Sequence, residues 1–195
     1  MRSAAVRPAP TRYGWTGGYG AGGDASNNGN AQGMNYGFAG TTFGVDRYFG
    51  EGIIFGVAGG YAGSRTRTDS LLQSAEVNSF QGALYGSRVG DRHYLFNVMS
   101  YGRNQYETAR QLPANLTARG DYDGNEFSDY LETGLTLRRG AWSWQPSLSM
   151  QYVLLEQDAF TETGAGGAGL SVRSHTDHSL RPGFGLRLAR PTSFG

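Results

Sequence analysis

Two runs of glycine, Gly18 to Gly23 and Gly164 to Gly169, match the spacing G-x-G-x-x-G. In a strand–turn–helix that spacing presents backbone N–H groups to the pyrophosphate of a dinucleotide. The chemistry needs a helix opening at the glycines. Neither run is followed by a helical pattern or set within a βαβ unit, so both read as loop glycines, and no cofactor is expected. His175 and His178 stand three apart, but on a strand such residues face opposite sides and cannot hold one metal ion together. Asp177 and Ser179 beside them would supply the other types of a hydrolytic triad, yet nothing in the sequence orients them. His93 sits next to a tight turn and reads as a solvated or interfacial histidine. The chain has no cysteine, which removes thiol nucleophiles, thiolate metal sites and disulfides. The expectation is therefore a protein that is not an enzyme and carries no metal.

The elements that would have to position any site are strands. Among 195 residues there are 32 Gly, 12 Tyr and 10 Phe, with 38% hydrophobic residues. Glycine at this level costs about 1 kcal/mol each in a helix interior, whereas glycines and aromatics suit strands joined by turns. The net charge is +1, so no overall field draws the chain to nucleic acid or an anionic surface. All 17 basic residues are Arg. No run approaches 18 consecutive apolar residues, so a membrane helix is excluded, and MRSAAVRPAP lacks the apolar core of a signal peptide. The low mean hydropathy, −0.47, does not exclude a membrane barrel, because such a barrel turns only every second residue outward.

About eight strand-like segments follow residue 11, near 12–20, 34–48, 52–64, 75–89, 92–106, 122–138, 141–156 and 171–189. Short turns (49–52, 89–91, 139–140) alternate with long polar or Gly-rich connections (24–33, 65–74, 110–121, 160–169), as in an outer-membrane barrel. Four segments have two distinct faces. In the seventh, Trp142, Trp144, Leu148, Met150, Tyr152 and Leu154 oppose Ser143, Gln145, Ser147, Ser149 and Gln151. In the eighth, Leu180, Phe184, Leu186 and Leu188 alternate with Ser179, Arg181, Gly183, Gly185 and Arg187. The sixth sets Phe127, Leu131, Leu135 and Leu137 against Ser128, Glu132, Thr136 and Arg138, and the third behaves likewise. Alternation alone also fits a soluble sandwich with one wet face. Segments of about 13 to 17 residues, against the usual 5–6, lean towards membrane strands.

In order along the chain, several stretches resemble the autotransporter β-domain. They are Gly14-Trp15-Thr16-Gly17-Gly18-Tyr19-Gly20, Phe43 to Arg47, Phe55 to Tyr61, Gln81 to Gly86 and Tyr122-Asp123-Gly124. Gln145-Pro146 through Leu154, Gln157 to Gly166 and Ser179 to Leu188 complete the match. The resemblance implies an all-β, antiparallel up-and-down transmembrane barrel of twelve strands in the outer membrane of a Gram-negative-type bacterium. It implies type V secretion: the barrel anchors and helps export an N-terminal passenger of the same polypeptide, with outer-membrane lipid and the barrel-assembly machinery as partners and no nucleic acid. About eight of the twelve strands are present, and residues 190–195 lack the family's terminal aromatic strand, so a C-terminally incomplete barrel is expected. It should form a curved open sheet with two unpaired edges, in preference to a smaller closed barrel. The organisation reads as a linker or tail at 1–11, the partial barrel at 12–190 and a tail at 191–195. Asn27-Asn28 matches the asparagine pair at which some family members cleave themselves, but here it follows the first strand and reads as loop.

On this reading Glu132, Arg138, Gln145, Gln151, Arg181 and Arg187 line the lumen, with carboxylate–guanidinium forks among the charged ones. Tyr94, Tyr101, Trp142, Trp144 and Tyr152 form an aromatic girdle at the membrane boundary. Two other classes compete: a small eight-stranded outer-membrane barrel acting as enzyme or receptor, and a soluble all-β binding domain. An enzyme would gather His or carboxylate groups at one mouth. A soluble protein would bury its apolar face and expose a charged exterior; the membrane barrel would do the reverse.

Overall fold

The computed structural model describes residues 11–27, 33–68 and 73–190. The tails expected at 1–11 and 191–195 therefore lie outside the described residues, apart from Thr11, as does Asn28. The strands are β1 (Arg12–Ala25), β2 (Met34–Gly50), β3 (Ile53–Thr68), β4 (Gln73–Val89), β5 (His93–Leu112) and β6 (Leu116–Leu135). They continue as β7 (Leu137–Arg139), β8 (Trp142–Gln157), β9 (Phe160–Thr161), β10 (Ser171–Val172) and β11 (His175–Ala189). One antiparallel sheet runs in the order β1-β2-β3-β4-β5-β6-β8-β11, with β7 continuing the β6 side of β8; β9 and β10 pair separately. Each of the eight long strands pairs with the next long strand along the chain, an up-and-down meander. The sheet is not closed, because β1 and β11 are its two ends, as expected from the sequence.

The main strands run 14 to 20 residues, more than the 9–11 that crossing a bilayer requires. The expectation of a long polar loop at 110–121 is corrected. β5 reaches Leu112 and β6 begins at Leu116, so the connection is three residues, Pro113–Asn115. Proline stops the first strand by withholding its N–H, and Ala114 and Asn115 turn the chain with φ of 63° and 59°. The expectation of a loop at Gly18 to Gly23 is corrected too: these glycines lie inside β1. Each is paired in register with β2, and Gly23 is covered by the ring of Tyr36. Large rings laid across strand glycines recur in the sheet: Trp15 on Gly44, Tyr19 on Gly40, Tyr85 on Gly56 and Tyr94 on Gly134. Each ring shields a backbone that has no side chain of its own, the aromatic cover that pins strand register.

The break between β6 and β7 at Thr136 has a local cause. The register is unchanged across it, Gly134↔Ser147 before and Leu137↔Trp144 after. The gap faces Gln145 and Pro146, and Pro146 has no N–H to give the ladder. Thr136 takes other partners: its N–H donates to the Arg92 carbonyl at 2.7 Å, and its Oγ1 accepts from Gln145 Nε2 at 2.9 Å.

Candidate functional site

Following the register from strand to strand separates the side chains into two faces. The row Trp15–Gly44–Ala58–Ala83–Ser100–Ser128–Val153–Ser179 defines one of them. On it stand small and polar residues, with tyrosines laid over glycine. The other face carries Phe43, Val45, Phe55, Val57, Leu84, Met99, Leu148, Leu180 and Phe184, all more than a third exposed, Phe184 to 88%. The described residues hold almost no buried hydrophobic core, only Ala118 and Ala165. A soluble monomer would bury this apolar face; here it points outward.

The sheet curls towards the polar face. Trp15 on β1 donates from Nε1 to Tyr85 Oη on β4 at 2.7 Å. In a flat sheet those strands are about 14 Å apart, three inter-strand spacings, so curvature brings the two side chains together. Tyr85 in turn donates to Asp46 at 2.9 Å.

Glu132, Arg138, Gln145, Gln151, Arg181 and Arg187 all stand on this concave polar face. Gln151 lies directly opposite Arg181, and Gln145 opposite Arg187. The expected carboxylate–guanidinium forks are corrected: no ion pair joins Glu132 to Arg138, Arg181 or Arg187 among the described residues. Glu132 instead accepts from two phenols, Tyr94 Oη at 2.7 Å and Tyr130 Oη. The reason is register. Tyr94 faces Gly134, whose bare Cα lets the ring cross to the neighbouring carboxylate, whereas Glu132 faces Ser149 on β8 rather than an arginine. Replacing Tyr94 by Phe removes one donor to a charged acceptor and is expected to cost about 1 kcal/mol, read as a lower urea midpoint for the folded chain in detergent.

The girdle residues divide as well. Tyr101, Trp142, Trp144 and Tyr152 are on the apolar face, the tryptophans at the tight-turn end and the tyrosines towards the long-loop end. Tyr94 is corrected: it lies on the polar face, against Glu132. Residues not singled out from the sequence complete the two bands. Tyr61 and Phe80 pack at 5.0 Å near the loop end, and Phe49 and Phe55 at 6.1 Å near the turn end. Asp129, a carboxylate on the apolar face, accepts from Asn97 Nδ2 at 2.6 Å.

His175 and His178 face opposite sides of β11. His178 Nδ1 meets Tyr152 Oη at 2.8 Å on the apolar face, and His175 sits 3.4 Å from Asp177 on the polar one. Among the described residues no three His, Asp or Glu side chains gather as metal ligands.

The best-packed region is at the loop end. The connection after β8 folds back along the polar side of the long β5–β6 hairpin. Arg119 and Thr163 exchange backbone hydrogen bonds of 2.9 and 2.8 Å. Phe160 stacks on Tyr122 at 4.3 Å, and Tyr122 on Tyr106 at 4.7 Å. Gly120 lies beneath Phe160, where a side chain would collide with the ring. Arg110 Nη2 reaches Glu162 at 2.6 Å, and Glu162 also accepts the Leu170 N–H at 3.0 Å. Arg110, and after it this backbone N–H, hold the Glu162 carboxyl below the ordinary carboxylate range. A depressed folded-state pKa means the contact is at full strength above the ordinary carboxylate range and is lost as pH falls through the lowered value. Cleavage by an acid-active protease within 163–170 is expected to appear only over that acidic window, and Glu162→Gln should make the loop cleavable at neutral pH.

The sequence profile of the Autotransporter beta-domain family matches residues 14–195. No curated protein sequence matches the chain. Among solved structures, the translocator domain of autotransporter NalP from Neisseria meningitidis superimposes with a TM-score of 0.77 at 24% identity. That match covers 97% of this chain and 65% of the NalP chain, so the chain spans a little under two thirds of it. The β-domain of the Bordetella autotransporter BrkA gives a TM-score of 0.67 at 19% identity, over 95% of this chain and 74% of that one.

Proposed function

Because the chain belongs to the autotransporter β-domain family, whose members are outer-membrane barrels of Gram-negative bacteria, we propose that its strands form the wall of a translocator for type V secretion. The apolar face meets lipid and the concave polar face lines the pore. Glu132, Arg138, Gln145, Gln151, Arg181 and Arg187 then stand in the lumen, and Tyr101, Trp142, Trp144 and Tyr152 at the two membrane boundaries. The tight turns at 50–52, 90–92 and 140–141 lie on the periplasmic side and the long connections outside. The observation that carries this reading is the inversion of the sheet: its apolar face is exposed while small and polar residues occupy the curled side.

The role is mechanical. The barrel anchors the chain, and its polar wall offers hydrogen bonds to a polypeptide passing in extended form, at low cost because the wall is already set by its own tyrosine–carboxylate contacts. No catalytic step is assigned. The passenger belongs to the same polypeptide, and insertion depends on the outer-membrane assembly machinery. The test is to place a signal peptide and an epitope-bearing passenger before residue 12 and to treat intact cells with protease. Surface cleavage of the epitope, abolished when the assembly machinery is depleted, is expected. An epitope held in the periplasm while the barrel resides in the outer membrane would refute export.

A further inference from the structure

We propose that the turn end of β1–β4 carries, on its outward face, a binding site for one anionic phospholipid. Its phosphate would be held by Arg12, Arg47 and Arg88, with an acyl chain lying along Val45, Val57 and Leu84. This rests on the assignment of the apolar face to lipid. Arg12 and Arg47 are directly opposite each other across β1 and β2. Like charges so placed repel. Arg88 projects from the same face two strands further on, opposite Ile53, which itself pairs with Gly50. Among the described residues none of the three guanidinium groups has a carboxylate within ion-pairing distance. The acid next in sequence, Asp46, faces the other way and accepts from Tyr85. The Arg47 guanidinium lies 5.0 Å over the Phe49 ring, so its plane is fixed by an aromatic rather than by an anion.

A groove of about 1030 Å³ joins these three arginines to Val45, Val57, Leu84 and Met99. Its charged end is at the tight turns, and its apolar floor lies one residue pair further in, where Val45, Val57, Leu84 and Met99 form a single register row crossing β2 to β5. That is the layout of a molecule with one anionic head and a hydrocarbon tail, its head at the periplasmic boundary and its tail lying across β2 to β5. Guanidinium groups match phosphate oxygens with planar forks, and arginines at a membrane surface favour anionic lipid. A free phosphate would use the same three arginines and leave the groove empty. The apolar floor, continuous with the charged rim, points to the lipid.

The test uses the full chain in phosphatidylcholine nanodiscs containing a minor fraction of phosphatidylglycerol, released and weighed by native mass spectrometry. One phosphatidylglycerol retained per chain is expected, favoured over phosphatidylcholine by about tenfold. The triple variant Arg12→Gln, Arg47→Gln, Arg88→Gln should fall to parity. So should Arg47→Glu, which gives Arg12 an ion-pair partner and so spares the fold. Equal retention of both lipids by the unaltered chain would overturn the site while leaving the barrel intact. Displacement of the lipid by inorganic phosphate alone would overturn it in favour of an ion site. Failure of the chain to enter the nanodisc would remove the barrel reading and this proposal together.

Discussion

Replacing Met150 by Arg is expected to cost the bilayer-embedded barrel about 2 kcal/mol, the penalty for a guanidinium on a lipid-facing strand position between mid-membrane and the Tyr152 boundary. Ser149→Arg, one residue away, should cost little. The contrast comes from the register. Met150 lies between Leu131 and Pro182 on the apolar face, while Ser149 lies between Glu132 and Gly183 on the polar one. An arginine at 149 would stand beside the Glu132 carboxylate and across from a glycine that leaves it space. Chemical unfolding from lipid vesicles, followed by the loss of the folded band on an unheated gel, measures both. Equal penalties would mean that the two faces do not meet different solvents. A larger penalty at 149 would mean that the sheet is turned inside out.

The second large effect is expected at Gly52. Its φ is +75°, and a Cβ built there would fall on the carbonyl oxygen of Val89, a backbone atom that cannot move aside. The same carbonyl belongs to a residue whose N–H donates to Gly52 O at 2.9 Å, so this contact holds the β2–β3 turn against the end of β4. Gly52→Ala should therefore lose about 3 kcal/mol or more, combining left-handed backbone strain with displacement of that contact. Gly50→Ala is the control: φ is +89°, yet nothing lies within 4 Å of the added carbon. It should lose only the backbone part, about 1–2 kcal/mol. The folded fraction after refolding into detergent micelles separates the two. Similar losses would show that the Gly52–Val89 contact is not what limits the turn.

Much of the architecture was legible because it is periodic. In segments such as 142–154 and 180–188 the alternation of Trp, Leu and Phe with Ser, Gln, Gly and Arg names both faces without reference to neighbours. The site was legible only as far as each residue's own strand decides its face. Arg181, Arg187, Gln145 and Gln151 fell where alternation put them. Tyr94 did not, because β5 carries large apolar side chains on both faces: Tyr94 and Phe96 on one, Leu95 and Tyr101 on the other. The partner of Glu132 depends on which residue of β5 stands opposite Gly134, and a register is a relation between strands that no single strand displays. The extension of β5 and β6 was hidden for a related reason. Gly120 and Tyr122 form a face only once Phe160 packs on it, and that packing comes from a loop some 40 residues later. The arginines at the turn end are concealed differently. A net charge of +1 averages them away, and only the pairing of Arg12 with Arg47 gathers them.

The absence of cysteine makes the most direct measurement simple. Single cysteines placed in turn from Ser147 to Tyr152 on β8, in the chain assembled in the outer membrane, can be probed with a water-soluble maleimide that reaches the pore. Labelling at 147, 149 and 151, with protection at 148, 150 and 152, is expected for a wall with a wet lumen and a lipid-covered exterior. Uniform labelling, or protection at the odd positions, would contradict the assignment of the two faces on which the translocator reading stands.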